Sequence, residues 1–182
     1  MPYANPDALV STEWVATHMT APDVRIVDCT YYLPNDGRNG REEYDKQHLD
    51  GAVFFDVDDV KDPDNPLPHM VPPAHIFAAK VRKLGLGDGS RIVCYDHNGG
   101  GMAAARVWWM FRLFGHTDVA VMDGGLPKWL AEGRPVTDMP VTPQERHFTA
   151  RENHTLLRSI GDVRAVLDNG REQVVDVRGA VK

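Results

Sequence analysis

Short apolar runs recur along the chain, and segments with a helical spacing of apolar residues separate them. The runs are rich in β-branched residues and nearly all apolar, which is typical of strands buried on both faces of a parallel sheet. We predict strands at residues 25–29, 52–55, 91–95, 119–122 and 174–177. Because predicted strands and helices alternate, the pattern predicts an α/β layered domain with a mostly parallel sheet flanked by helices.

Capping and stop signals bound the predicted helices. Ser11 is placed to cap a helix that runs through His18, and Pro73 precedes a helix that ends at a glycine. The other predicted helices lie at 41–47, 74–83 and 102–114. Ligands of such sheets bind beyond the carboxyl ends of the strands, so the residues that follow each strand are the candidates for a functional site.

The sequence begins to repeat itself near its end. When it is shifted by 148 positions, residues 9, 11, 15, 27 and 28 fall on identical residues at 157, 159, 163, 175 and 176. These positions set a helix and the strand after it, so the pattern indicates two copies of one domain. We predict a complete domain over 1–135, a linker over 136–152 and the beginning of a second copy over 153–182. That second copy is expected to be truncated just past its first strand.

Composition argues against several kinds of partner and location. The net charge is −6 without a basic run, so nucleic acid and anionic membranes are not expected to bind. The strongly apolar stretch 107–111 is too short to span a bilayer, and the first residues lack a secretory signal pattern. Two cysteines do not make a disulfide framework, which favours a cytoplasmic location. The histidines show no metal-ligand spacing backed by cysteines, so neither a metal nor another cofactor is expected.

Several motifs together resemble one family. They are the segments 48–56 (HLDGAVFFD), 105–112 (ARVWWMFR) and 123–129 (DGGLPKW), with the pair His69-Met70. From about Leu9 to Lys182 the chain resembles the two-domain rhodanese-like sulfurtransferases, in particular those of the 3-mercaptopyruvate type. The resemblance implies a rhodanese-like fold and transfer of sulfur from 3-mercaptopyruvate, through a cysteine persulfide, to cyanide or to a thiol such as thioredoxin. The cysteine belongs to the family's second domain, so this chain alone is expected to be inactive and to need the remaining C-terminal part.

Asp58 and His69 are the predicted catalytic pair. Asp58 follows the strand predicted at 52–55, and His69 lies in a stiff proline-rich segment that is able to hold a side chain over the sheet edge. A carboxylate that orients an imidazole, which then polarises a hydroxyl, is the arrangement of an acid–base triad. The resemblance implies that the hydroxyl is a serine of the second domain. It also implies that His69 favours 3-mercaptopyruvate, because thiosulfate-preferring relatives commonly lack this histidine.

Arg178 is the predicted substrate-binding residue. It follows the strand predicted at 174–177, and a guanidinium there is able to bind a carboxylate through paired hydrogen bonds. The resemblance implies the same role, since the family has a substrate-binding arginine at this point.

The loop after the strand 91–95 holds Asp96 where the resemblance places the family's sulfur-carrying cysteine. A carboxylate is not a sulfur nucleophile, so we interpret this loop as one that keeps only its shape. Cys94 is predicted to be buried and inert, Cys29 is not a good nucleophile candidate, and Arg106 is interpreted as a rim residue of an aromatic helix. Two alternatives stay open: a thiosulfate sulfurtransferase of the same fold, and a non-catalytic rhodanese-like module used for binding or regulation.

Overall fold

The computed structural model describes residues 5–99 and 101–177. Residues through Glu152 form one unit, and those from Asn153 onward form a second, smaller unit. The first unit contains a five-stranded sheet whose paired strands all run parallel. Within the described residues, no helix combines the length and the apolar character needed to cross a membrane.

The sheet has its longest strands in the middle and its shortest at the edges. Its strands are β1 (Leu9–Val10), β2 (Val24–Asp28), β3 (Val53–Phe54), β4 (Arg91–Tyr95) and β5 (Val119–Met122), in the spatial order β1-β5-β4-β2-β3. Strands β2, β4 and β5 are almost wholly buried, which confirms the predicted α/β fold with a mostly parallel sheet. Strand β1 is absent from the sequence prediction because two residues are too few to show a pattern.

The described residues also form six α-helices, besides three short 3-10 helices at Pro6–Ala8, Pro34–Asp36 and His154–Leu156. The α-helices are α1 (Thr12–His18), α2 (Gly40–Lys46), α3 (Ala74–Lys83), α4 (Ala103–Leu113), α5 (Gly125–Ala131) and α6 (Ile160–Asn169). The Ser11 hydroxyl accepts a hydrogen bond from the Trp14 N–H at 3.0 Å, which confirms the predicted cap of α1. Helix α5 is absent from the sequence prediction, since Gly124 begins it in the left-handed region at φ 83° and Pro127 interrupts the usual helical pattern.

Residues 136–152, which we call the strap, run along the first unit. The segment predicted as a linker has neither helix nor strand, apart from an isolated bridge between Thr137 and His48. Phe148 is fully buried, and the Arg82 guanidinium donates to the Phe148 carbonyl at 2.8 Å. A single buried aromatic in a polar stretch has no periodicity, so its packing is not visible in the sequence pattern.

The second unit contains α6 and a short extended end. Ser159 and Asp162 form a capping box at the start of α6, with each side chain bonded to the other's backbone N–H. The strand predicted at 174–177 is not formed: residues 173–177 have no regular secondary structure, and Val177 is 90% exposed. A strand needs a neighbour for its backbone groups, and the described residues of this unit supply none.

Candidate active site

Asp58 and His69 meet at the carboxyl edge of the sheet. Nε2 of His69 lies 2.8 Å from Oδ1 of Asp58, although the two residues are eleven positions apart in the chain. The Asp58 N–H donates to Oδ1 of Asp56 at 2.8 Å, and this turn directly after β3 fixes where the Asp58 side chain begins. Both side chains reach solvent, with 57% of Asp58 and 26% of His69 exposed. The geometry therefore provides an accessible carboxylate–imidazole pair.

The tautomer of this pair follows from its partner. Asp58 is a hydrogen-bond acceptor when ionised, so Nε2 of His69 carries the shared proton. In the neutral imidazole Nδ1 then holds a lone pair, and this atom has no hydrogen-bond partner among the described residues. An imidazole oriented in this way is able to accept a proton from a substrate or from a neighbouring hydroxyl.

The backbone of His69 adopts an uncommon conformation. Its φ of 58° lies in the left-handed region, which a residue with a Cβ rarely enters. The Arg106 guanidinium of α4 donates to the His69 carbonyl, and the Asp62 N–H donates to the carbonyl of Met70 at 2.9 Å. The first bond ties the proline-rich segment to α4, and the second closes that segment on itself. Strained backbone that the surroundings hold in place is typical of functional sites.

Tyr31 contacts the imidazole from a third direction. Its ring meets that of His69 edge to face, with centroids 5.0 Å apart and an interplanar angle of 79°. Burial, and after it the charge of Asp58, raise the pKa of Tyr31 above its usual value. Tyr31 and Asp58 also line a cavity of about 160 Å³ beside the pair. Tyr31 follows β2, and residues that follow a strand are candidates for a functional site. The sequence interpretation nevertheless does not select Tyr31 as a site residue.

Arg106 has a larger part in this geometry than its interpretation as a rim residue suggests. It is partly buried, and burial lowers the pKa of its guanidinium. Its contact is with the backbone of His69, 37 residues away in the chain. A contact to a main-chain carbonyl leaves no side-chain signature at the partner position, so sequence alone does not reveal it.

The carboxylate of Asp96 lies at the N-terminus of α4 and binds backbone N–H groups there. The side chain is completely buried, Oδ1 accepts from the Asn98 N–H at 2.9 Å, and Oδ2 accepts from the Ala104 N–H at 3.0 Å. Backbone N–H groups at a helix start are a general anion site, and here a side chain of the same loop fills it. This arrangement fits the interpretation of a loop kept for its shape.

A second aspartate–histidine pair joins the loop that contains Asp96 to the end of β2. Nε2 of His97 lies 3.2 Å from Oδ2 of Asp28, and the His97 N–H donates to the Thr30 hydroxyl at 3.1 Å. Both side chains of the pair are buried, with exposures of 4% for His97 and 0% for Asp28. Because this pair is almost closed to solvent, its contacts join the loop after β4 to the end of β2.

The two cysteines lie in the core rather than at the edge. Cys29 and Cys94 are fully buried. Burial, followed by the adjacent Cys94 thiol, raises the pKa of the Cys29 thiol well above its usual range. A thiol that stays protonated is a poor nucleophile, so the geometry gives Cys29 no role in sulfur chemistry.

Arg178, the predicted substrate-binding residue, lies outside the described residues. The structure thus brings together Asp58 and His69 and adds Tyr31 and Arg106 to them. Within the described part of the chain, no group of three or more histidine, cysteine, aspartate or glutamate side chains is placed to hold a metal ion.

Comparisons with known proteins place this geometry in a family. Residues 11–132 match the rhodanese-like domain family. Human 3-mercaptopyruvate sulfurtransferase is 39% identical over 176 residues, and bovine thiosulfate sulfurtransferase is 41% identical over 176 residues. Each alignment covers 94% of this chain and 59% of the relative, so the chain spans about three-fifths of the length of these proteins.

A solved structure is similar over the same extent. The crystal structure of SseA from Escherichia coli, described as a 3-mercaptopyruvate sulfotransferase, superposes with a TM-score of 0.89 at 33% identity. The match covers 94% of this chain and 66% of SseA. Sequence and fold comparisons therefore agree on the same group of proteins.

Proposed function

The chain belongs to the rhodanese-like domain family, and on that premise we propose that it forms the acid–base half of a 3-mercaptopyruvate sulfurtransferase. The observation that carries the proposal is the exposed Asp58–His69 pair at 2.8 Å, with Nδ1 directed away from its carboxylate. The other half of the site, including the sulfur-carrying cysteine, would belong to a complete second domain. The relatives are long enough to contain such a domain.

The proposed reaction has two stages. In the first, a cysteine thiolate attacks the sulfur of 3-mercaptopyruvate, the carbon–sulfur bond breaks, and its electron pair leaves on carbon as the enolate of pyruvate. The enolate takes up a proton, and the cysteine keeps the sulfur as a persulfide. In the second stage, cyanide or a thiol such as that of thioredoxin attacks the outer sulfur and regenerates the thiolate.

His69 would act on proton movement in the first stage. Asp58 orients the imidazole through Nε2, and Nδ1 exchanges a proton with a serine hydroxyl of the second domain. Positioned acid–base groups of this kind contribute roughly 10²–10⁴-fold to a rate. The role assigned to Arg178 is to bind the substrate carboxylate through paired hydrogen bonds.

Thiosulfate is the second candidate donor. Bovine thiosulfate sulfurtransferase shares 41% of aligned residues, which is no lower than the identity to the human 3-mercaptopyruvate protein. Thiosulfate has no carboxylate to bind, and its transfer releases sulfite without a carbon leaving group. The Asp58–His69 pair therefore favours 3-mercaptopyruvate. A non-catalytic module is favoured only for this chain taken alone, in which Asp96 stands in place of a thiol.

The experiment compares the two donors on the protein with a complete second domain. Pyruvate release reports on 3-mercaptopyruvate, thiocyanate formation reports on thiosulfate, and the expected result is a higher kcat/KM for 3-mercaptopyruvate. Arg178→Lys is expected to raise KM for 3-mercaptopyruvate about tenfold, since lysine lacks the paired donors, and to affect thiosulfate less. The exposed Arg171→Lys serves as the matched control. A preference for thiosulfate, or equal losses for both donors in Arg178→Lys, would contradict the proposal.

A further inference from the structure

A second cavity, of about 340 Å³, lies at the amino-terminal edge of the sheet. Its walls come from the first residues of β2, the turn after α3 and the strap. In a parallel sheet this edge is opposite to the carboxyl edge, where Asp58 and His69 lie. The cavity is therefore separate from the proposed sulfurtransferase site, and it is about twice as large as the cavity beside that site.

Two arginines line this cavity without a carboxylate between them. Arg25 comes from β2 and Arg146 from the strap, and no aspartate or glutamate is among the lining residues. Burial and then the charge of Arg146 lower the pKa of Arg25, whereas Asp23 opposes them to a smaller extent. Two cations that share a cavity repel each other, and a bound anion removes that repulsion. The charge at this point is opposite in sign to the net charge of −6 of the whole chain.

The guanidinium groups are available to a ligand. Nη1 of Arg25 donates to the neighbouring Val24 carbonyl at 2.5 Å, and its other donors have no hydrogen-bond partner among the described residues. The Arg146 side chain makes no hydrogen bond or ion pair to any residue that the structure describes. A guanidinium presents parallel N–H groups that match the two oxygens of a carboxylate.

The remaining walls combine apolar side chains with exposed polar atoms. Apolar side chains on them include those of Met19, Val24, Ile26, Val53, Leu84 and Val141. The backbone also fixes part of the wall, because Gly85 has a φ of 71° and a Cβ there would lie 2.8 Å from the Gln144 carbonyl oxygen. Concave sites for small molecules commonly combine such apolar walls with a few charged groups and have volumes of roughly 300–1,000 Å³.

We propose that this cavity binds a small carboxylate with an apolar body, whose carboxylate lies between the guanidinium groups of Arg25 and Arg146. The apolar body packs against the walls from β2, β3 and the strap. The ligand class follows from the two cations and from the apolar side chains that stand beside them on the walls. A bare inorganic anion uses the arginines but leaves the walls unfilled, and a neutral apolar molecule leaves the arginines without a partner.

The test is a titration of the isotope-labelled 182-residue chain followed by backbone N–H signals. The probes are hexanoate, hexanamide and inorganic sulfate, which separate the charge from the apolar body. Hexanoate is expected to bind saturably, with shifts confined to the cavity walls, and hexanamide and sulfate are each expected to bind more weakly. Arg146→Gln is expected to weaken hexanoate binding about tenfold, since it removes one charge-assisted contact. Arg146 is exposed on the strap, so this variant is expected to fold.

Two further variants keep the test decisive. Arg25→Gln is expected to weaken hexanoate binding to a similar extent, because the two guanidinium groups share one ligand. Arg112→Gln is the matched control: Arg112 stacks on Trp108 of α4 and does not line the cavity. The proposal is overturned if hexanamide binds as tightly as hexanoate, if sulfate does so, or if neither cavity arginine matters more than Arg112. None of these readouts depends on sulfur transfer.

Discussion

The carboxyl edge of the sheet carries two aspartate–histidine pairs in opposite surroundings. Asp58 and His69 lie in solvent contact at 2.8 Å, whereas Asp28 and His97 are buried at 3.2 Å. In the exposed pair the carboxylate orients an imidazole that still has access to a substrate. In the buried pair the same two residue types fix the Asp96 loop to the residues after β2. Under the proposed function, burial and access, rather than residue type, separate the proton-transfer pair from the structural one.

The largest expected effect is the absence of sulfur transfer, because neither aspartate–histidine pair supplies a sulfur nucleophile. The 182-residue chain on its own is expected to show no sulfurtransferase turnover, because it has Asp96 where the proposed mechanism needs a thiol and both cysteines are buried. Pyruvate-release and cyanide assays are expected to read at background, and Cys29→Ala and Cys94→Ala are expected to leave that background unchanged. Turnover with persulfide on either cysteine would show that a buried thiol is reactive after all.

The buried pair is expected to matter for stability. His97→Ala removes one hydrogen-bond partner of the fully buried Asp28 carboxylate, which keeps its bond from the Thr30 N–H at 2.9 Å, so we expect the free energy of unfolding to fall by about 1–3 kcal/mol. The exposed His75→Ala on α3 is the control, with an expected change within about 0.5 kcal/mol. Denaturant unfolding of the three proteins measures both values. If the two variants are equally stable, the buried pair does not hold the loop.

The third prediction concerns Arg106, which holds the backbone of His69 in the exposed pair. Arg106→Gln removes a charged donor from the His69 carbonyl, and such a bond contributes about 1.5 kcal/mol or more. We expect kcat/KM for 3-mercaptopyruvate to fall about tenfold through kcat, because the imidazole loses its position and not its chemistry. Steady-state kinetics on the protein with a complete second domain, together with the thermal midpoint, separates this result from unfolding. An unchanged kcat would mean that the proline-rich segment holds His69 without Arg106.

The sequence predicts the strands well where the apolar pattern is long. Strand β4 has the predicted bounds, because five consecutive strand residues lie between clear turn signals. Strand β1 and helix α5 are not predicted, since one is too short and the other begins at two glycines in the left-handed region. The strand predicted at 174–177 is not formed, because a local pattern does not supply the neighbour that a strand needs.

The candidate site is predicted only in part, for a similar reason. Asp58 follows a predicted strand, and His69 lies in a stiff segment, so both are placed at the correct edge by local pattern. The pairing of His97 with Asp28 joins residues 69 positions apart and needs the register of β2 against β4. The contact from Arg106 ends on a main-chain carbonyl, which the sequence does not mark at all.

The smallest expected effect is that of a partly exposed carboxylate that has no part in either pair. Glu132 binds Lys128, the Thr12 hydroxyl at 2.6 Å and Nε of Arg134 at 2.6 Å, and these contacts, Lys128 first, lower the pKa of Glu132 to about 2. A carboxyl whose pKa is lower in the folded state stabilises the fold above its ordinary pKa of 4.5 and loses this effect as the pH falls towards 2.

Thermal midpoints of the wild-type chain and of Glu132→Gln measure this effect across pH. We expect a small difference between the two proteins that is constant above pH 4.5 and shrinks towards pH 2. Glu13→Gln, on the exposed face of α1, is measured alongside as the control for removing a surface carboxylate. A difference that is the same at every pH would mean that the contacts of Glu132 do not depend on its charge.

The most direct test compares how the loss of His69 and the loss of His97 change the activity with each of the two sulfur donors. On the protein with a complete second domain, kcat/KM is measured for 3-mercaptopyruvate and for thiosulfate in His69→Ala and in His97→Ala. We expect His69→Ala to lower the value for 3-mercaptopyruvate by roughly 10²-fold or more and the value for thiosulfate much less, since only the first donor needs proton transfer. We expect His97→Ala to leave the ratio between the donors unchanged. Equal losses for both donors in His69→Ala would contradict the account and make His69 a structural residue like His97.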